Sequence, residues 1–289
     1  MNNKVKYEIY SGAGNTFVMI NNLNWSDEIP LYKQDEFAKV ICRYYFKEVD
    51  GVIFADKPVL YGSDIRMNYY NRDGSFGAMC GNGSRCLAMF LFKNGIVNKK
   101  EIQLEAVDNI YKAEIIDAEN VRVTFPDPKY IRFNVTIKAE TGGGLKELVV
   151  NYADVGSDHI VLFLDDQTNN VVLGSGSVEE IEINHIGAVL RYHYEFLPHG
   201  ANVNFVQPVQ GSKIKIRTYE RGVERETLAC GTGVVSSAIV YALDRSAKPP
   251  ILVYVRSGEE LIVDFKFSDG KITGLSLTGS ARKIGEGEI

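Results

Sequence analysis

The chain has 289 residues, 45% hydrophobic and 24% charged, with a formal net charge of −5. This balance suits an ordinary globular protein with one large or two medium cores. A mildly acidic chain without a Lys/Arg cluster argues against nucleic acid. With no signal-peptide core in "MNNKVKYEIYSG" and no apolar run near the roughly 20 residues that span a bilayer, it is expected to be cytoplasmic, without a membrane partner.

In chain order, short β-branched or aromatic runs bounded by turn residues dominate. "VKYEIYS" is the first. A helix follows over 34–46 ("QDEFAKVICRYYF"), where acidic residues lead into apolar positions three and four apart. "VDGVIFA" and "IRMNYYN" precede an apolar helix over 83–95, closed by Asn94-Gly95 as C-cap. "IQLEAV" and "NVRVTFP" complete the first half. A break is expected near "FPDPKYIRF" (125–133), followed by a flexible connection over 134–147 around "TGGG". The second half repeats the pattern. "ELVVNYADV" and "HIVLFLDD" lead to a helix over 177–193, then "ANVNFVQPV" and "SKIKIRTYE", an apolar helix over 231–246, and "ILVYVRSG", "ELIVDFKF" and "ITGLSLTG". Each half thus has strands, a Cys-Gly-Xaa-Gly turn, an apolar helix and more strands, and a helix apolar on most faces fits a central position. The expected domains are 1–127, with 276–289 returning to it, and 128–275.

Two of the four cysteines, Cys80 in "MCGNGSRC" and Cys230 in "LACGTG", open the apolar helices; the others are Cys42 and Cys86. A glycine-rich turn at a helix start exposes backbone N–H groups at the positive end of the dipole and can hold a carboxylate or phosphate. The same position lowers a thiol pKa, roughly into the 3.5–7.5 range. Two such cysteines could therefore work as acid and base on opposite faces of one carbon. Taken singly, each reads first as a small buried residue capping a helix; two such turns in a duplicated context favour the acid–base reading. The Cys80–Cys86 spacing lacks a zinc-ligand pattern. The turns also lack the Gly-Lys-Ser/Thr of a phosphate loop, and "GAGNTF" (12–17) lacks the third glycine of a dinucleotide fingerprint.

"GAGNTF", "NRDGSFGAMCGNGSRC", "GANVNFVQ" and "YERGVERETLACGTG", in this order over residues 12–233, resemble the signature blocks of the diaminopimelate epimerase family. The resemblance implies an α/β (α+β) fold of two similar domains, each a β-barrel-like sheet around a central helix, with the active site in the interdomain cleft. It implies an isomerase that converts LL- to meso-diaminopimelate by a thiolate/thiol pair, for lysine and peptidoglycan-precursor synthesis, with no metal and no organic cofactor. Cys80 and Cys230 match the catalytic cysteines. Gly81, Asn82, Gly231 and Thr232 match the amides that bind the α-carboxylate. Asn15, Asn71, Ser157, Asn202, Glu220 and Arg221 match substrate-binding positions, with His159 and Glu220 as supporting acid/base groups. A guanidinium suits a distal carboxylate; by itself Glu220-Arg221 also reads as a surface ion pair, and His159 as a core histidine.

Three positions depart from the family pattern: Thr16 where an Asp is usual, Ala78 where a Glu is common, and Ser157-Asp158 in place of Asn-Pro ahead of His159. These bear on the substrate, so a two-cysteine racemase of another amino acid, such as histidine, stands as the alternative. A binding protein with a carboxylate cradle and a thiol redox protein are the other classes. The partner expected is a small-molecule amino acid; a homodimer is one assembly open to the chain.

Overall fold

The computed structural model describes residues 4–23, 29–77 and 79–289. It divides into two units, Met1–Thr124 with Thr278–Ile289, and Phe125–Leu277.

The first unit begins with a hairpin, β1 (Lys6–Gly12) and β2 (Asn15–Asn21), paired Gly12↔Asn15. Its two-residue turn places Ala13 at φ 53° and Gly14 at φ 88°, the left-handed pair that follows the twist of a hairpin. "GAGN" is therefore a strand-to-strand turn rather than the strand-to-helix loop of a nucleotide site. Helix α1 (Leu31–Tyr44) carries the chain to β3 (Gly51–Asp56), parallel to β2, and β4 (Ile65–Asn71) returns antiparallel to β3. Helix α2 (Gly81–Lys93) crosses to β5 (Glu101–Ala106), parallel to β4, and β6 (Asn109–Ile115) and β7 (Asn120–Thr124) continue antiparallel.

The second unit repeats this route. A long hairpin, β8 (Tyr130–Glu140) and β9 (Leu145–Asp154), leads to β10 (Asp158–Phe163). Helices α3 (Gln167–Leu173) and α4 (Ile183–Arg191) cross to β11 (Asn202–Val209), parallel to β10. Strand β12 (Lys213–Glu220) is antiparallel to β11, with the short β13 (Arg225–Thr227) against it. Helix α5 (Gly231–Asp244) crosses to β14 (Ile251–Tyr254), parallel to β12, followed by β15 (Glu260–Ser268) and β16 (Lys271–Ser280). The last strand, β17 (Arg282–Glu288), pairs with β1.

Each apolar helix sits inside its own strands. Helix α2 touches β1 through β7 and β17, and α5 touches β8 through β12, β14 and β15. Every residue from Gly81 to Leu91 is buried, as are Gly231 and all residues from Gly233 to Ala242. A helix enclosed on all sides has no solvent-facing stripe, which is why both read as mostly apolar runs; the buried polar exceptions are Asn82, Ser84 and Arg85 in α2 and Ser236 and Ser237 in α5. The fold is thus the sheet-dominated α/β class with two similar units that the duplicated pattern implies.

Matching registers fix which positions correspond. Phe17 pairs with Gly51, Ile53 with Tyr69 and Gly51 with Asn71. In the second unit His159 pairs with Asn202 and Asn204 with Thr218. Phe17, Ile53 and Tyr69 therefore occupy the positions of His159, Asn204 and Thr218, and Asn71 that of Glu220.

Three expectations change. Helix α1 starts at Leu31, ahead of the acidic residues, with Pro30 before it. The stretch 177–193 is a 3-10 turn, Val178–Glu180, followed by the shorter α4. The expected connection over 134–147 is mostly strand: β8 runs to Glu140 and β9 starts at Leu145, because Ile137, Ala139, Leu148 and Val150 alternate into the core. Only residues 141–144 turn, with Gly142 and Gly144 at positive φ. Among the described residues no helix is long and apolar enough to cross a membrane.

Candidate active site

In the first unit Cys80 is the N-cap of α2, with φ −109° and ψ 111°, and its Sγ accepts the Gly83 N–H at 3.3 Å. Glycine at 83 leaves room for the strand beneath it: a Cβ there would lie 2.7 Å from Ile53 Cδ1, the far end of a flexible side chain that would have to shift. Asn82 is almost wholly buried; its Nδ2 donates to Asn15 Oδ1 (2.7 Å) and its Oδ1 accepts from Arg85 Nη2 (2.9 Å). Arg85 has no exposed surface and also reaches Gly81 O (3.5 Å) and Ser280 O (3.4 Å). Cys80, Gly81, Asn82 and Asn15 are thus brought together, with a permanent cation behind them. Asn71 forms its side-chain bonds within its own turn, donating to Ser75 Oγ at 3.0 Å. At the first departure from the family pattern, the Thr16 N–H donates to Asp50 Oδ2 at 2.7 Å. The second, Ala78, lies outside the described residues.

In the second unit Cys230 is the N-cap of α5 with nearly the same backbone, φ −110° and ψ 112°. Its Sγ lies 3.5 Å from Thr232 Oγ1, and Thr232 Oγ1 lies 2.9 Å from His159 Nε2. His159 has no exposed surface, and its Nδ1 faces Asn204 Nδ2 at 3.1 Å. Burial, helped by the Arg221 charge and opposed by Asp158, pushes its pKa down to about 3. Asn204, also wholly buried, donates to Ile160 O (2.9 Å) and accepts from Thr218 Oγ1 (2.9 Å). Gly233 permits this approach, because a Cβ there would lie 2.4 Å from Asn204 Oδ1.

A second group surrounds Arg221. Its Nη1 donates to Asp158 Oδ2 (2.8 Å) and Gly200 O (3.1 Å), and the Tyr152 hydroxyl donates to the other Asp158 oxygen. Partial burial raises the Asp158 pKa, but the bonds from Tyr152 and Arg221 outweigh it and hold the carboxyl below its usual range. Asn202 binds this group internally, donating to Ser157 Oγ and Asp158 O at 3.0 Å each and accepting the Arg221 N–H at 2.9 Å. Glu220 accepts from Thr227 Oγ1 at 2.9 Å.

Sequence reasoning missed Asn204, Thr218, Arg85, Tyr152 and the pairing of Asp158 with Arg221. A signal for Asn204 was present: "NVNFV" puts two amides at alternate positions of an otherwise apolar strand, and a buried amide must find partners. Of the remaining cysteines, Cys42 is buried, which pushes its thiol up to about 11, and Cys86 is wholly enclosed. Among the described residues no three His, Cys, Asp or Glu side chains are grouped to hold a metal.

The family model for diaminopimelate epimerase matches residues 7–131 and 151–284. The chain belongs to the diaminopimelate epimerase family. It is 36% identical to a diaminopimelate epimerase of Aquifex aeolicus, over 96% of this chain and 95% of that one. It is 33% identical to one of Hydrogenobaculum, over 97% and 96%. Among solved structures, a Bacillus anthracis phenazine biosynthesis protein of the PhzF family superposes with TM-score 0.74 at 14% identity, covering 99% of each chain. A hydroxyproline epimerase from Agrobacterium vitis gives 0.68 at 14%, covering 100% of this chain and 93% of that one. These two likenesses concern the fold. Membership of the diaminopimelate epimerase family makes the chain an isomerase.

Proposed function

We propose that this chain epimerises LL-diaminopimelate to meso-diaminopimelate, for lysine and peptidoglycan-precursor synthesis, with Cys80 and Cys230 as the acid–base pair. One sulfur, as thiolate, takes the α-proton and becomes a thiol. The other, a thiol, delivers its proton to the opposite face of the carbanion and becomes a thiolate. The pair ends with its protonation exchanged, and no electrons change hands. The observation that carries this reading is that each unit's central helix starts on a cysteine N-cap with the same backbone geometry, so both thiols sit at the positive end of a helix dipole. Gly81, Asn82, Gly231 and Thr232 supply the helix-start amides for the α-carboxylate; Asn15, Asn71, Ser157, Asn202, Glu220 and Arg221 form or support the rest of the binding set. The reaction as read here calls on neither metal nor organic cofactor.

A second reading, racemisation of another amino acid, is favoured by one observation. Arg221 already has a carboxylate partner in Asp158, so a substrate without a distal carboxylate leaves no unpaired guanidinium. Both side chains are more than a quarter exposed, and such pairs contribute only ~0–1 kcal/mol, so a substrate carboxylate can share the guanidinium. The two readings are separated by incubating the protein in deuterated water with LL-diaminopimelate and a panel of L-amino acids. Rapid α-exchange in diaminopimelate is expected, and faster exchange in histidine or lysine would replace the first reading with the second.

A further inference from the structure

The strands behind the two cysteine turns differ in kind at equivalent positions. Behind Cys80 lie Phe17, Ile53 and Tyr69, with Phe17 and Tyr69 packed edge to face at 5.8 Å. Behind Cys230 lie His159, Asn204 and Thr218, joined by hydrogen bonds and buried. Burying three such polar groups, where the other unit has Phe17, Ile53 and the half-buried Tyr69, costs desolvation unless every donor finds an acceptor. From that requirement the hydrogen positions in the network can be deduced.

The Ile160 carbonyl can only accept, so the Asn204 amide must point its NH2 there, and its Oδ1 receives the Thr218 hydroxyl. The second hydrogen of the same NH2 is directed at His159 Nδ1, which must therefore be the bare, accepting nitrogen. An imidazolium would set N–H against N–H at this contact. The ring proton is then on Nε2, and it donates to Thr232 Oγ1. With its oxygen accepting from the ring, the Thr232 hydroxyl can turn its own hydrogen toward Cys230 Sγ. The charged groups facing the imidazole are Arg221, which disfavours its protonation, and Asp158, which opposes that effect less strongly than burial and Arg221 favour the neutral ring.

We propose that Asn204 is a positioning residue for Cys230: it locks His159 as the neutral Nε2–H tautomer, which makes Thr232 a hydrogen-bond donor to the Cys230 sulfur. This rests on the reading of Cys230 as a catalytic thiol. It changes the part played by His159. The ring does not take the thiol's proton; it directs a hydroxyl that favours the thiolate, alongside the helix-start amides. At the matching strand positions the unit around Cys80 carries Phe17, Ile53 and Tyr69 instead, so different side chains stand behind the two sulfurs.

The test reads hydrogen positions and thiol chemistry, so it is independent of which amino acid is the substrate. The 15N spectrum of histidine-labelled full-length protein is recorded from pH 5 to 8, with the His159 signal assigned by its loss in His159→Gln. We expect bare Nδ1 and protonated Nε2 throughout. In parallel, the pH profile of Cys230 alkylation by iodoacetamide is read by peptide mass. Thr232→Val should move its midpoint upward, leaving about three- to tenfold less thiolate at a fixed pH below it, on the scale of one hydrogen bond to a charged group discounted for its length. Thr232→Ser should restore the wild-type profile. Asn204→Asp, which offers only acceptors to the ring, should shift the proton to Nδ1 and the Cys230 midpoint upward together. If that variant fails to fold, the wild-type spectrum and the Thr232 pair still decide. A His159 proton on Nδ1, an imidazolium at neutral pH, or an unchanged Cys230 profile in Thr232→Val would overturn the proposal. Failure of diaminopimelate to exchange, by contrast, would touch only the functional reading.

Discussion

Cys80 and Cys230 cap their helices with backbone angles that agree within a degree, yet their surroundings have diverged. Around Cys80 the polar groups run from the helix to the start of β2, where Arg85 holds Asn82 and Asn82 holds Asn15, with Phe17, Ile53 and Tyr69 on the strands. Around Cys230 the polarity comes from the strands through His159, Asn204 and Thr218. The lesson is that duplicated backbone supplies two equivalent helix-start turns, and side chains then make them unequal. In a pair that holds one proton between two sulfurs, such inequality bears on which sulfur keeps it, although each must serve in both states as the protonation is exchanged.

The largest expected effect tests whether both turns are needed. Cys80→Ser and Cys230→Ser should each lower kcat/KM for epimerisation ~10²–10⁴-fold, the usual range for losing an acid or base, with folding retained by circular dichroism. One variant near wild-type rate would reduce the pair to a single working thiol. Cys42→Ala and Cys86→Ala should keep activity.

Next come the second glycines of the turns. An added Cβ at 233 meets the Asn204 amide, which is fixed on both sides, whereas one at 83 meets the mobile end of Ile53. Gly233→Ala should therefore cost ~1–3 kcal/mol in urea unfolding, as overpacked cores do, and Gly83→Ala clearly less. Equal costs would show that the floors of the two units are equally yielding.

Much of the fold could be read before any coordinates. The two central helices declared themselves because an enclosed helix is apolar on most faces, and most strands through β-branched runs. The losses have physical causes. Strand β17, "RKIGEGE", mixes charge and glycine and lies exposed, so nothing in its composition demands a sheet; its pairing with β1 does. Strand β2 was hidden behind a glycine turn that resembled a loop, and β8 behind Asn134, whose φ of 53° interrupts the alternation. In the site, residue types were legible but their partners were not. Asn202 was legible as a substrate-binding position, but the bonds of its amide to Ser157, Asp158 and Arg221 were not. No pattern in one segment could reveal that Asp158 would face Arg221, 63 positions away.

The network behind Cys230 should also make stability depend on pH. The folded pKa of His159, about 3, lies below its ordinary value of 6.5, so between them the unfolded chain binds more protons and stability rises with pH. At pH 5 this amounts to about 2 kcal/mol lost relative to pH 7 from this one residue. His159→Phe, which imitates Phe17, should flatten that part of the urea-unfolding profile; an unchanged slope would place the dependence elsewhere.

The smallest effect separates two equivalent arginines. Arg72, beside Asn71, is exposed and donates to the Lys47 carbonyl, whereas Arg221, beside Glu220, is held by Asp158. Arg221→Met should raise KM for diaminopimelate about tenfold, one charged hydrogen-bonding contact in a partly exposed setting, while Arg72→Met leaves it unchanged. Equal behaviour of the two would remove Arg221 from the binding set.

The central claim, that two different sulfurs serve the two faces of one α-carbon, is tested most directly by deuterium content at low conversion. LL-diaminopimelate is incubated in deuterated water with wild-type protein, stopped after a few per cent conversion, and the α-deuterium of recovered substrate and of product is measured separately. The account predicts deuterium in the meso product, supplied by a solvent-exchanged thiol, and almost none in the recovered LL substrate, whose proton can return only from the sulfur that took it. Product that keeps the substrate's own α-hydrogen would mean that one group serves both faces, and would contradict it.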